Sequence, residues 1–210
     1  MTEGLHKFSS YWISAEFPVC SWRSEAYPAP YFRREFFCPD SFSDAFLYIC
    51  GLGYCKVWLN GEAVSENILE PVVTQYDKRV HYLKYNLAGL LRKGQNVLAV
   101  VLGTGWYNNH SHIGWQFNCA NWRDNPKLLC ELFADDKCLL KSDLDWKVTT
   151  DGPIVYDSLR NGESYDARLE MPGWNDIGFD DSAWKNAVQV APPPGILQQQ
   201  EVEPIKVFQE

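Results

Sequence analysis

Long apolar runs are missing from this sequence, and so are the spacings that mark metal, phosphate and nucleophile sites. No stretch stays apolar for the length a bilayer crossing needs, which argues against a membrane-spanning helix. Met1 to Lys7 shows no charged segment followed by an apolar one, so no signal peptide is visible. The chain therefore reads as cytoplasmic, the alternative being a periplasmic protein whose signal has been removed. No basic block exceeds the pairs Arg33-Arg34 and Arg92-Lys93, and the net charge is −8. A chain of that sign repels phosphate, which argues against nucleic acid and anionic membrane as partners. CxxC spacing is absent, removing the usual zinc and redox signatures. The cysteines number seven, an odd count, and Cys50, Cys130 and Cys138 stand in apolar runs, where a thiol acts as a small hydrophobe. That usage points to a reducing compartment. GxSxG, a Gly-rich phosphate loop and a Cys/His nucleophile pairing are absent as well.

Aromatic residues, by contrast, are plentiful: 15% of the chain, with nine Trp. Aromatic side chains favour strands and also offer flat faces on which rings stack. The pattern is strand, turn, strand almost throughout. Phe32, Arg34 and Phe36 alternate with Arg33 and Glu35 as in a half-buried strand. Asn60-Gly61, between Lys56–Leu59 and Glu62–Val64, is the strongest short hairpin signal, because a type I′ turn needs φ > 0 at both central residues. Val97 to Leu102 is apolar on both faces, which predicts a central, fully buried strand. Further strands are predicted over Tyr76–Tyr85, Leu128–Phe133, Cys138–Leu140, Trp146–Thr150, Ile154–Tyr156 and Ser164–Glu170. Helical turns are expected only near Asn86–Leu91 and Asp181–Trp184. Many short strands without a βαβ rhythm predict an all-β fold, a jelly-roll or galactose-binding-like β-sandwich. Ala191 to Gly195 is Pro-rich and breaks the pattern. The division expected is a sandwich domain over 1–195, then a linker and the start of a truncated following domain over 196–210.

The loop after the buried strand, Gly103 to Asp124, carries most of the candidate chemistry. Trp106, Tyr107, Trp115 and Trp122 supply ring faces, while Asn108 and Asn109 supply amides. A sugar site needs this mixture, apolar faces for C–H edges and fixed polar groups for hydroxyls. The plainer reading is that the aromatics close the open end of the core. His110 and His112 are spaced to share a strand face but make an incomplete metal site. Calcium needs six or more oxygens; Glu66 and Asn67, with Asn108 or Asn109, could contribute some, although no dedicated calcium loop is present. Glycoside hydrolysis needs two carboxylates at a defined separation. Asp143, Asp145, Asp157, Glu163, Asp166, Glu170, Asp180 and Asp181 are available, but no spacing singles out a pair. Glu163, Asp166 and Arg168 read as an ion-paired structural strand, and no catalytic residue is assigned.

The order of short motifs resembles the N-terminal β domain of bacterial α-L-rhamnosidases, which are glycoside hydrolases. The matching pieces are Ala29 to Phe36, Leu47 to Tyr54, Leu59 to Glu62, Thr74 to Val80, Leu102 to Tyr107, Gly162 to Arg168 and Phe179 to Trp184. The resemblance implies a jelly roll within an enzyme that releases terminal L-rhamnose with inversion. It also implies that the acid and base carboxylates lie in a helical (α/α)6 barrel outside this chain, which is then expected to be inactive alone. The implied partners are L-rhamnose-containing glycosides and that catalytic domain. Some related modules bind rhamnose through calcium; the corresponding loops are Glu66-Asn67 and Asn108-Asn109, with Glu66 where Asp is expected. Two roles stay open, a carbohydrate-binding accessory module and a structural spacer packing against the barrel.

Overall fold

The computed structural model describes residues 5–17, 27–39, 41–111 and 115–208. Strands run in the order β1 (Ile13–Ser14), β2 (Tyr31–Cys38), β3 (Ala45–Leu52), β4 (Tyr54–Leu59), β5 (Glu62–Ala63), β6 (Arg79–Asn86), β7 (Gly94–Gly103) and β8 (Lys127–Ala134). They continue with β9 (Lys137–Lys141), β10 (Lys147–Thr149), β11 (Ile154–Ser158), β12 (Gly162–Tyr165), β13 (Lys185–Asn186), β14 (Val188–Gln189) and β15 (Ile196–Gln199). One sheet has the order β14-β1-β8-β3-β6-β15, with β9 also on β8; the other has the order β13-β10-β2-β7-β4-β5. β11 and β12 form a separate hairpin. The architecture is an all-β sandwich, as the strand rhythm predicts, and no described helix is long and apolar enough to cross a membrane.

Alternation along each strand builds the core. Leu47, Ile49, Leu128, Cys130 and Leu132 of the first sheet join Phe32, Val57, Leu59, Leu98, Val100 and Leu102 of the second in one buried cluster. Each such side chain contributes about 1.5–3 kcal/mol by leaving water. β7 pairs with both β2 and β4, which gives Val97–Leu102 the central place its apolar character predicts. Asn60 (φ 54°) and Gly61 (φ 83°) form the two-residue turn joining Leu59 to Glu62. The amide of Asn60 also donates to Asn96 Oδ1 (2.9 Å) and its oxygen accepts from the Val97 N–H (3.0 Å), tying the hairpin to its neighbour. The Ala134–Lys137 hairpin forms as well, with Asp135 at φ 48°.

Several details differ from the sequence reading. The Tyr76–Tyr85 strand begins only at Arg79, because Lys78 and Arg79 N–H groups donate to the Gln75 carbonyl and close a turn first. The expected strand to Glu170 stops at Tyr165: the Asp166 carboxylate accepts from the Arg168 N–H and caps a 3-10 turn over Ala167–Leu169. Local capping wins over alternation there. Cys138 is exposed, unlike Cys50 and Cys130, and the six described cysteines are all free. Past Gly195, β15 pairs in parallel with β6, and Ile205 bridges Ile68.

Both sheets are also partly covered on their outer faces. Over the first sheet lies a cluster of Trp12, Cys50, Leu52, Tyr76, Val80, Tyr82, Tyr107 and Leu129. An N-terminal arm crosses the same face, with His6 stacked on Tyr48 at 3.9 Å and Phe8 edge-on to Tyr82 at 5.3 Å. Glu131, 1% exposed, holds the arm down. Its oxygens accept from the N–H groups of Ser9 (2.6 Å) and Ser10 (2.9 Å) and the Ser9 hydroxyl (2.9 Å), and contact His6 Nε2 at 2.7 Å. Burial alone would push the Glu131 carboxyl up, but the Ser9 and His6 contacts outweigh it and hold the group below its ordinary range.

Over the second sheet lies Trp184 with Ala29 and Tyr31, flanked by Ile154, Met171, Trp174 and Phe179. Arg33 explains how this strap stays in place. Alternation puts Arg33 on the polar face of β2, yet it is only 1% exposed. Its guanidinium donates to the carbonyls of Trp174 (3.1 Å), Asp176 (3.1 Å) and Phe179 (3.4 Å), to Glu35 (2.8 Å) and to Asp181. A planar five-donor fork suits this work, since it satisfies several carbonyls of a strap that has no ladder of its own.

Candidate functional site

The aromatic loop begins where β7 ends. Gly53 and Gly103 touch there: a Cβ on Gly53 would lie 1.9 Å from the Gly103 carbonyl oxygen, and its φ is 103°, so only glycine fits. Thr104 then donates from its N–H and hydroxyl to the Asp157 carboxylate, pinning the loop to the β11–β12 hairpin. Asn108 N–H donates back to the Thr104 carbonyl at 2.9 Å and closes a turn.

That turn drives the polar half of the loop inward. Tyr107 is 1% exposed and packs edge-on to Tyr76 at 5.3 Å; burial first, then the nearby Asp124 charge, holds its phenol well above the usual range. Asn108 and Asn109 are buried, and their side-chain oxygens are engaged: Asn108 Oδ1 accepts from Arg123 Nε (2.9 Å), and Asn109 Oδ1 accepts from the Ser111 N–H (3.0 Å) and hydroxyl (2.8 Å). His110 lies between the Asn108 carbonyl (3.4 Å) and the Tyr156 hydroxyl (3.2 Å). A carbonyl only accepts, so Nδ1 carries the proton and Tyr156 donates to Nε2; burial first lowers the pKa of this ring. His112 lies outside the described residues.

The other half of the loop faces outward. Trp115 is 78% exposed, at φ 22°, and packs edge-on to Phe117 at 5.9 Å. Trp106 is half-buried against Phe117, with the Arg160 guanidinium 5.5 Å over its ring, and Trp122 leans on Phe117 and Tyr76. The six candidates of this loop therefore divide in two: Trp106, Trp115 and Trp122 gather about Phe117, while Tyr107, Asn108 and Asn109 turn inward. Tyr107, Asn108 and Asn109 are buried, Trp106 and Trp122 are partly covered, and Trp115 is the most exposed of the rings about Phe117.

A concave site lies on the other face of the molecule, where the strap leaves part of the second sheet bare. This cleft, 280 Å³ in volume, is bounded by β4, β7, the 67–69 segment and the β11–β12 hairpin. Tyr54, Leu69, Val101 and Ile154 provide an apolar wall; Lys56, Asn67, Asp157 and Glu163 provide polar groups. Asp157 and Glu163 are cross-strand partners, which brings two carboxylates from a long undifferentiated set to one place. Arg168 pairs instead with its neighbour Asp166 at 2.6 Å. The hairpin between Ile154 and Tyr165 could have been recognised by alternation about Arg160-Asn161-Gly162; Lys56 carried no signal at all.

Of the two calcium candidates Glu66 and Asn67, Asn67 lines this cleft and Glu66 does not. Glu66 is exposed. Asn67 donates its amide to Glu70 Oε1 (3.1 Å), a buried carboxylate whose other oxygen accepts from the Tyr85 hydroxyl (2.6 Å). Lys56 Nζ donates to the carbonyls of Ser65 (2.6 Å) and Asn67 (3.4 Å). A calcium cage needs six to eight oxygens at 2.3–2.6 Å, and the residues present do not fit one: the carbonyls of Ser65 and Asn67 already accept from an ammonium, both Glu70 oxygens accept from protein donors, and Glu66 is exposed. Among the described residues no three His, Cys, Asp or Glu side chains come together as a metal cluster. A second hollow, 660 Å³, lies between the N-terminal arm and the β6–β15 edge, lined by Arg79, His81, Gln198, Gln199 and Glu201 among others.

A family model described as the alpha-L-rhamnosidase N-terminal domain matches residues 40–209. An alpha-L-rhamnosidase of Formosa agariphila is 34% identical over 194 residues, which cover 89% of this chain and 20% of that protein. The native alpha-L-rhamnosidase of Aspergillus terreus matches with a TM-score of 0.81 and 30% identity, over 91% of this chain and 22% of the other. The Streptomyces avermitilis alpha-L-rhamnosidase complexed with L-rhamnose matches with a TM-score of 0.78 and 36% identity, over 88% of this chain and 18% of the other. The chain spans about a fifth of the length of these relatives.

Proposed function

Because the chain belongs to the alpha-L-rhamnosidase N-terminal domain family, we propose that it is a non-catalytic accessory module that holds a rhamnose-containing glycoside in the cleft of the second sheet. The observation that carries this reading is the cleft itself, 280 Å³ with one apolar wall and a polar rim. A 6-deoxyhexose has a matching division, a methyl edge and a run of ring hydroxyls, and sugar sites pair apolar surface with a few placed polar groups. Hydrolysis of terminal L-rhamnose, with inversion, is assigned to the whole protein and to a catalytic domain outside this chain. The relative crystallised with L-rhamnose makes that sugar the first ligand to try.

Calorimetric titration of the chain with L-rhamnose tests the reading. Glu163→Gln is expected to weaken binding about tenfold, the worth of one charge-assisted hydrogen bond, while Trp115→Ala leaves it unchanged. The reverse pattern moves the site to the aromatic loop. A silent titration overturns binding altogether and favours the spacer role, for which the exposure of Ile196 (70%), Val207 (69%) and Phe208 (90%) is the supporting observation: these side chains suit a neighbouring domain.

A further inference from the structure

Resting on that reading of the cleft, we infer that the Lys56 ammonium takes the place of a metal ion, so that sugar is held without calcium. The geometry starts with the chain reversal after β5. The carbonyls of Ser65 and Asn67 converge on one point, and Lys56 Nζ occupies it at 2.6 and 3.4 Å. Converging carbonyls of this kind are what a hard cation draws on. A divalent ion placed on the same two oxygens would sit against the ammonium, and like charges at contact distance repel strongly.

Of the side chains that could complete a metal shell, Glu66 is exposed and the others are already hydrogen-bonded. The Asn67 amide is oriented by Glu70, whose second oxygen belongs to Tyr85. The oxygens of Asn108 and Asn109 accept from Arg123 and Ser111. Calcium drawing on Glu70, Asn108 or Asn109 would have to displace a protein donor from each.

The ammonium, unlike an ion, brings its own donors. It carries three N–H groups; two reach the carbonyls of Ser65 and Asn67, and the third serves a ligand hydroxyl in the cleft that Lys56 lines. Asp157 and Glu163, which also line the cleft, supply acceptors. A donor and acceptors at one cleft suit adjacent hydroxyls of a neutral pyranose, with no net charge required of the ligand.

The test is a titration of the intact chain with L-rhamnose, once in EDTA and once in excess calcium chloride, together with a titration of calcium chloride alone. Equal affinity in the two buffers and no heat from calcium alone are expected. Lys56→Met is expected to lose about tenfold in affinity in both buffers, with Lys56→Arg recovering part of it; an unchanged melting temperature shows that each variant is folded. Binding that appears only with calcium, or saturable heat from calcium alone, overturns the inference and leaves the accessory role standing. Silence toward sugar in both buffers overturns the accessory role itself.

Discussion

Over the first sheet the chain lays aromatic rings and an N-terminal arm that cover the outer face up to a hollow at the β6–β15 edge; over the second it lays a strap held by one guanidinium and leaves a cleft over the sheet itself. The first face takes in Tyr107, Asn108 and Asn109, the residues with the richest apparent binding chemistry, and uses them internally. The second leaves Lys56, Asp157 and Glu163 around a cleft. Aromatic density therefore marks covered surface in this molecule, and the opening lies where coverage by Trp174 and Trp184 ends. A ring contributes by leaving water, so a loop with many rings is drawn to burial unless the backbone prevents it, as at Trp115.

The largest effect is expected from Tyr107→Ala. If the first face is core, truncating a ring that is 1% exposed costs about 3–5 kcal/mol, read as a lower urea midpoint. A loss under about 1 kcal/mol would return this residue to the surface and collapse the contrast between the faces.

Arg33→Met comes next and addresses the second face. It leaves the carboxylates of Glu35 and Asp181 and the carbonyls of Trp174, Asp176 and Phe179 without their donor. About 3 kcal/mol should be lost, with a shift in tryptophan emission as the strap loosens. A variant of unchanged stability would show that the strap is held by its rings alone.

The smallest effect is acid release of the N-terminal arm. Glu131 titrates below its ordinary value near 4.5 in the folded protein, so its contribution is complete above that value and fades as pH falls through the lower folded one. Amide protection of residues 5–10 should decline as pH falls below 4.5, while the strap over the second sheet keeps its own. Glu131→Gln should flatten that dependence. Equal loss of protection on both faces would mean that acid opens the whole sandwich and that the arm is not a separate unit.

Fold class was legible because strand patterning is local. Asn60-Gly61 carries its turn in two residues, and Val97–Leu102 announces a strand with no polar side by composition alone. Boundaries were less legible where a short-range hydrogen bond competes with alternation, as at Gln75 and Asp166. The candidate site was the least legible part. Asp157 and Glu163 stood among many carboxylates, and only their pairing across β11 and β12 distinguishes them.

By itself the sequence determined an all-β chain, its main hairpins, its central strand and its likeness to one family, since each follows from residues close together or from their order. The tertiary structure alone decided what covers each outer face, that Arg33 is buried, that Tyr107 to Asn109 point inward, and that Lys56 meets Ser65 and Asn67 beside a cleft. Periodicity assigns a side chain to one side of a strand, but whether that side meets water depends on what a distant segment lays over it.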